Sequence, residues 1–583
     1  MLLTLSALVV GMMSGLFQGA GPTQAASAAS PTPRSLTSRD STRALRVAHK
    51  AQAEFETLRR RLLPYQPLAG GDCDATVGRY CHRQEFATPP EDAPEVVFAR
   101  ARLLTTLDSI GALMPGDRWI VGQRVRYLME AKRPLVADSV AIACAARSGV
   151  SATSSWCLAL IGYTAQQLGN YTRADAAFTS ALAQMSPAER CKWQDPTVLL
   201  GRSAGVYRDG GCEARDSIIA GFWRLVQPMY LMNVNDLRTE CLARITRMYI
   251  ERDTRTPMSD WWGSEERATL LRYGVSQWYT RGDVPRGQTT PAITGFRREP
   301  AFNFFPDARV FSSPDELTDE DWDFWNPASD PTYAPIWATS FRPLADHQVA
   351  LFRRGDSAFI VAAFDADDAA PATALRRAGT FVAIVDHAGV LTPFGTETQH
   401  SGVGTVSTMM APWRPFIVSL ESLNPSNGAA QRTRFAPKLP HSSGRLSLSD
   451  LLLYAPRDST PTSLDAAVPR VLHALRAPSD RQIGVFWETY GVRSEGESVD
   501  YALLVTPADE GFFHRAMVKL HVADPERSAS VQWREMPSVT KGIASRGMTV
   551  DLSHLRPGRY SVRLMLTSGT DAPVLAERTI EIL

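Results

Sequence analysis

Residues 155–188 read SWCLALIGYTAQQLGNYTRADAAFTSALAQMSPA, and the order of small and large residues in this stretch decides the architecture of the first half of the chain. Apolar side chains recur at helical intervals on both sides of Gly169-Asn170. That dipeptide predicts a turn between two helices. Gly162 strips the first helix of a side chain, Ala174 and Ala181 keep the second helix close, and Phe178 is placed to fill the gap between them. A lone helix pair cannot bury its own apolar face, so helical neighbours must stack on it.

The neighbouring stretches agree. Residues 41–64 and 95–112 carry the same apolar period, and residues 119–147 fit a second copy of the unit loosely. Gly162, Gly169, Tyr171, Ala174, Phe178, Ala181 and Leu182 resemble the pattern of a tetratricopeptide repeat. Residue 165 is Ala where that pattern prefers a large aromatic, and the closing proline comes one place late, at Pro187. The resemblance implies a stack that serves either as a peptide-binding groove or as architecture alone.

Past about residue 340 the period changes. Short runs at 348–353, 357–364, 380–386, 414–422, 483–491, 499–506, 514–522 and 558–566 alternate apolar and polar residues between turn signals. Their spacing predicts antiparallel β-sandwiches. The expected fold is therefore multidomain α + β: N-terminal helical, tetratricopeptide-like repeats, a helical middle domain, and C-terminal antiparallel β-sandwich modules. The boundaries read as 1–28 leader, 29–40 mobile linker, 41–214 helical domain, 215–310 middle region, 311–340 acidic and aromatic linker, 341–455 first β domain, 456–480 linker, and 481–583 second β domain. The β region carries no cysteine and a full set of turns, so it is expected to hold at least one autonomous core.

The address is read from the start of the chain. No residue from Met1 to Pro33 is charged, Leu2–Phe17 is mostly apolar, and small residues follow at Ala25–Ala29. This is the pattern of a secretory leader. The apolar run is short for a bilayer core of about 30 Å, so no membrane span is expected once the leader is removed; an uncleaved leader would anchor the chain. The expected location is periplasmic or extracellular.

The seven cysteines agree with export. Cys73, Cys81, Cys144, Cys157, Cys191, Cys212 and Cys241 all lie in the helical part, and none has the C-x-x-C spacing of a metal or redox site. Local disulfides are the plain reading in an oxidising compartment: Cys73 with Cys81, Cys144 with Cys157, and more weakly Cys191 with Cys212, leaving Cys241 free. Packed helix axes lie about 8–10 Å apart, while a disulfide needs Cα atoms within about 7 Å. The alanines at 141, 143, 145 and 146 permit that approach between two helices.

Composition excludes more than it selects. Over 583 residues the formal charge is +1, with 44% apolar and 21% charged residues. A nucleic-acid binder built on a basic surface is excluded, as is a polytopic membrane protein. The chain contains no H-E-x-x-H or P-loop motif, and no cofactor is expected. Asp365-Ala366-Asp367-Asp368 is expected to be a solvated turn before a cation site. The run Asp319–Trp325 reads as a linker pinned by its aromatic residues, with a recognition strip as the other reading.

One helix face gathers polar groups. Asn235 or Asp236 is suited to cap a helix whose apolar face is Leu237, Cys241, Ile245, Met248 and Tyr249. Glu240 and Arg244 are spaced as an i,i+4 pair. Asn235, Asp236, Thr239, Glu240 and Arg244 form the candidate polar site. Its two carboxylates suit general acid–base work, while a cap plus a helix-surface salt bridge is the plainer expectation.

The same region carries a family resemblance. Phe222-Trp223, Leu225, Pro228, Asn235-Asp236, Thr239-Glu240 and Arg272-Tyr273-Gly274 resemble the GWxTD-domain proteins exported by bacteria, with fainter echoes in Phe302–Pro306 and Leu446–Asp450. Gln227 stands where that pattern has an aspartate before the proline, and Trp261-Trp262-Gly263-Ser264-Glu265 replaces the name-giving motif. The resemblance implies address and architecture, since the family has no established activity. The expectation is an exported interaction or scaffold protein that binds protein partners; the alternative is a hydrolase with a carboxylate site acting on peptide or cell-wall material.

Overall fold

Helix α1 (Ser38–Arg61) begins where Thr37 accepts a hydrogen bond from the Asp40 amide at 3.3 Å, which satisfies one of the donors a helix start leaves open. The structure is a computed structural model describing residues 37–583, except 67–72, 79, 86–87, 149–151, 201–214, 259–262, 285–289, 299, 308–309, 311–312, 314, 325–331, 367–374, 386–390, 402–403, 441–444, 479, 494–495, 509–527 and 570–571. The leader, Cys212, Trp261-Trp262, Asp367-Asp368 and the strand expected at 514–522 lie outside the described residues.

The chain is a multidomain α + β protein with a helical N-terminal half. After α1 come α2 (Pro94–Leu113), α3 (Arg118–Glu130), α4 (Pro134–Ser148), α5 (Ala152–Gln167) and α6 (Tyr171–Gln184), each packed on the next. Their turns are locally encoded. Gly169 takes φ +74° and the Asn170 amide returns to the Ala165 carbonyl at 2.9 Å, a left-handed stop. Asn170 then caps α6 by accepting from the Arg173 amide at 3.1 Å. A Cβ on Gly162 would lie 2.7 Å from the Phe178 ring, and Phe178 is buried. The missing side chain is what lets α5 and α6 close on that ring.

The stack continues through α7 (Pro187–Trp193) and α8 (Thr197–Leu200) to α9 (Arg215–Val226), α10 (Asp236–Glu251) and α11 (Ser264–Tyr273). Helix α10 does not stand apart: Leu242, Ala243 and Ile250 share one core with Leu107, Val125, Leu160 and Phe178. A buried ionic network runs beside that core. Arg126 meets Glu56 at 3.0 Å with both side chains fully enclosed, and Arg247 meets Glu130 and Glu251 at 2.7 Å each.

A small sheet that the periodicity did not announce covers one end of the stack. Its order is β1 (Ala75–Val77), β2 (Tyr80–Glu85), β4 (Ile293–Arg298), β3 (Trp278–Arg281), with β2 and β4 parallel. Trp278 stacks on Phe296 with ring centres 5.0 Å apart.

Two sandwiches follow. In the first, β6 (His347–Arg354), β7 (Ser357–Asp365) and β10 (Gly404–Pro412) face a second sheet. That sheet runs β5 (Ser340–Pro343), β12 (Ala429–Phe435), β11 (Phe416–Asn424), β8 (Leu375–Val385), β9 (Leu391–Ser401), antiparallel except where β5 meets β12. Leu351, Ile360, Phe364, Val382 and Val418 fill the space between. The second sandwich uses β13 (Ser447–Leu448), β14 (Leu452–Tyr454), β15 (Gln482–Tyr490) and β18 (Ile543–Asp551) against β16 (Val499–Pro507), β17 (Ala529–Glu535), β19 (Gly558–Thr567) and β20 (Val574–Ile582). Trp487, Leu503 and Leu564 lie in its core. Strands β6 and β7 are buried on both faces, because Phe352 and Val361 also pack on Tyr454 and Phe486. This departs from the alternation expected at 348–353 and 357–364, and it matches the continuous apolar stretches Val349–Phe352 and Ala358–Phe364.

Cys73–Cys81 and Cys144–Cys157 are disulfides with Cα separations of 5.4 and 5.6 Å, and the second ties α4 to α5. Cys191 is also disulfide-bonded, to a partner outside the described residues. Cys241 is free and buried. No helix among the described residues is long and apolar enough to cross a membrane.

Candidate functional site

Asn235 caps α10 by accepting from the Arg238 amide at 3.0 Å. Asp236, next in the chain, is completely buried. Its Oδ2 accepts from the Trp337 indole at 2.8 Å and the Tyr333 hydroxyl at 3.0 Å, and its Oδ1 is buried without a hydrogen-bond partner among the described residues. Burial pushes the carboxyl up to about 6, against the pull of the Trp337 and Tyr333 hydrogen bonds. Asp236 thus fastens residues 333–337 to the start of α10.

One turn further on, the Thr239 hydroxyl donates to the Gln166 side chain at 2.7 Å. The Gln166 amide in turn donates to Glu240 at 3.2 Å. Glu240 and Arg244 pair at 2.8 Å. Arg244 also donates to the carbonyls of Arg272 and Leu271 at 2.9 and 3.2 Å, and to the Thr332 carbonyl at 3.0 Å. The first two carbonyls belong to the last turn of α11, where a cation meets the negative end of the helix. Gly274 ends that helix at φ +80°, and a Cβ there would stand 3.2 Å from the Arg244 guanidinium. The Arg-Tyr-Gly run at 272–274 is therefore the seat of Arg244.

These groups line or underlie a cleft of about 340 Å³. Its walls are α3, α5, α6 and α10 on one side and residues 273–277 and 332–336 on the other; Glu240, Arg244, Tyr171, Tyr333 and Arg247 face into it. The helix face thus carries a cap, a buried clamp and a paired carboxylate. Glu240 is held by Arg244 and Gln166, and Asp236 lies beneath the wall. Gln166, Tyr333 and Trp337 complete the cluster from 73, 97 and 101 residues away, and no local pattern marks them. Aromatic residues at an otherwise loop-like position, Tyr333 and Trp337, are the one sequence signal that could have pointed there.

Elsewhere, Asp365 contacts the His473 ring nitrogen at 3.1 Å. Trp322 and Phe324 are buried, and Asp321 accepts from the Thr318 amide at 2.8 Å. Among the described residues no three metal-ligating side chains converge.

No family model matches the chain, and no curated protein matches it. Among solved structures, a red sea bream transglutaminase aligns at 8% identity and a TM-score of 0.12, over 41% of this chain and 31% of that one. The chain thus spans about a third of the length of the structure it matches, and a likeness at that level carries no functional weight.

Proposed function

We propose that the chain is a non-enzymatic binding and scaffold protein, exported, which recognises protein partners at the cleft between the helix stack and residues 273–277 and 332–336. One observation carries this reading: the charged side chains of the cleft are held by structural partners, while the cleft itself stays open at about 340 Å³. Glu240 is paired with Arg244, Arg247 with Glu130 and Glu251, and Asp236 with Tyr333 and Trp337. A general base needs an accessible lone pair aimed at a substrate, and these carboxylates serve the fold instead. Mixed aromatic and polar walls suit recognition. The face of the stack formed by α3 and α5 is covered by the chain's own α10, which moves the recognition surface from the helical groove to the cleft. The disulfides fit an oxidising compartment, and the resemblance to GWxTD-domain proteins fits an exported scaffold.

The test is a photo-crosslinking amino acid placed at Ile336, an exposed residue on the cleft wall, and separately at Phe98, exposed on α2 away from it. Expected is a discrete adduct from Ile336 in the cell envelope that Phe98 does not give. Equal labelling at both positions, or none at either, contradicts the proposal.

A further inference from the structure

A second cavity, of about 490 Å³, opens where α7, α9 and the start of α10 meet. Arg190, Arg224 and Arg238 all line it, one from each helix, and Asp175 is its one acidic residue among the described lining. Asp175 is taken: it pairs with Arg238 at 2.7 Å. Among the described residues the Arg224 side chain has one long hydrogen bond, 3.4 Å to the Gln227 side chain. Neither Arg224 nor Arg190 meets a carboxylate among the described residues. Among the described residues, the cavity therefore brings together two cations that no carboxylate pairs, in a chain whose total formal charge is only +1.

The remaining walls sort by chemistry. Trp223 and Ile219 are buried and give an apolar side. Gln194 and Asn233 add amide donors. The Gln227 amide is already committed to the Met229 carbonyl at 3.0 Å, so its oxygen is turned to Arg224 and does not neutralise it. Burial lowers the Arg238 guanidinium from its ordinary value against the pull of Asp175.

We infer that this cavity is a binding site for a phosphate group carried on a small organic body, with Arg190 and Arg224 holding the phosphate oxygens and Trp223 and Ile219 packing the body. Guanidinium groups present paired donors that match phosphate oxygens. Arg190 and Arg224 arrive from two separate helices, which suits a phosphate with oxygens on several sides better than one planar carboxylate. The site is distinct from the proposed recognition cleft, and neither reading depends on the other.

The experiment is calorimetric titration of the full mature chain with phenyl phosphate, inorganic phosphate and succinate, each against sodium chloride at matched ionic strength, because such contacts are screened by salt. Expected is saturable binding of phenyl phosphate, weaker binding of inorganic phosphate, and at least tenfold loss in R190Q/R224Q. Among the described residues Arg190 and Arg224 make no ion pair, so that variant is expected to melt with the wild type. R190K/R224K keeps the charge and is expected to retain part of the affinity, which separates binding from folding. If inorganic phosphate binds as well as phenyl phosphate, the organic body is overturned. If succinate binds more tightly than either phosphate, or if R190Q/R224Q binds as the wild type does, the phosphate site is overturned.

Discussion

The Arg434 guanidinium and the Glu421 carboxylate meet at 3.0 Å with both side chains enclosed, on adjacent strands β12 and β11. Each also reaches out of the sheet. Arg434 donates to the Leu225 carbonyl at 2.9 Å and lies 4.0 Å from the Tyr230 ring centre, while Glu421 accepts from the Leu231 amide at 2.9 Å. Beside them Arg432 donates to the Gln227 carbonyl at 3.0 Å and sits 4.8 Å from the Phe324 ring centre. The first sandwich thus grips the turn between α9 and α10 by its backbone. Phe222, Trp223 and Leu237 from the helices share a core there with Phe304, Phe341 and Leu423.

Glu421→Ala leaves Arg434 buried and unpaired, and removing one partner of such a pair costs about 3–5 kcal/mol. Urea unfolding should show that loss. The double variant E421L/R434M should lose less than the two single changes summed, because neither Glu421 nor Arg434 is then left without the other. A Glu421→Ala stability equal to that of the parent would mean that the grip contributes nothing.

Asp236 predicts a pH dependence. Its carboxyl stands at about 6 in the folded chain, above its ordinary 3.8. The folded state therefore binds the proton more tightly, so stability is highest at low pH for this group and falls as pH rises from about 4 to about 6. At neutral pH the ionised form lowers stability by up to about 3 kcal/mol. Asp236→Asn keeps an acceptor for Trp337 and Tyr333 and carries no charge. It should raise the melting temperature at about pH 8 and lose that advantage at about pH 4. A variant less stable than wild type by the same margin at both pH values would remove Asp236 from the account.

Phe178→Ala should destabilise the helical half by about 3–5 kcal/mol, the usual range for deleting a buried aromatic. Gly162→Ala tests the same contact from the other helix, since its methyl would press on the Phe178 ring at 2.7 Å and overpack it. Thermal melts decide both. An unchanged midpoint for Phe178→Ala would show that this ring does not hold α5 to α6.

How much of this was legible in the sequence differs by element. The α5–α6 pair was, because Gly162, Gly169 and Phe178 speak to one another within a few turns of chain. Strands β6, β7, β8, β11, β15, β16 and β19 were, because short apolar runs between turn signals are local; β9, β10, β12, β17, β18 and β20 were not. The parallel pairing of Cys81 with Thr294 in the small sheet was not, since nothing near either residue records the other. The candidate site was half legible. Asn235, Asp236, Glu240 and Arg244 fall on one helical face by spacing alone, but the clamp of Tyr333 and Trp337 on Asp236 depends on a return of the chain after 97 residues. The same holds for Arg432 and Arg434, whose burial depends on the distant turn at 225–231 closing over them.

The cysteines give a chemical prediction. Peptide mapping without reductant should recover Cys73 linked to Cys81 and Cys144 linked to Cys157. Cys241 is buried, and burial pushes its thiol up to about 12, so little thiolate is present to react. Alkylation of the native chain should spare Cys241, and alkylation after denaturation should label it. Prompt labelling of the native chain would contradict its burial.

The central claim is that the helical half and the first sandwich form one body, joined through a shared core at the turn between α9 and α10, while the second sandwich has a core of its own. Scanning calorimetry on fragments tests it most directly. Residues 446–583 alone should melt cooperatively and without response to reductant. Residues 314–440 alone should show no cooperative transition, because Arg432, Arg434 and Glu421 lose the turn that satisfies them, and should regain one when residues 215–310 are part of the same chain. A fragment of residues 314–440 that melts cooperatively at the temperature of the full chain would contradict the claim.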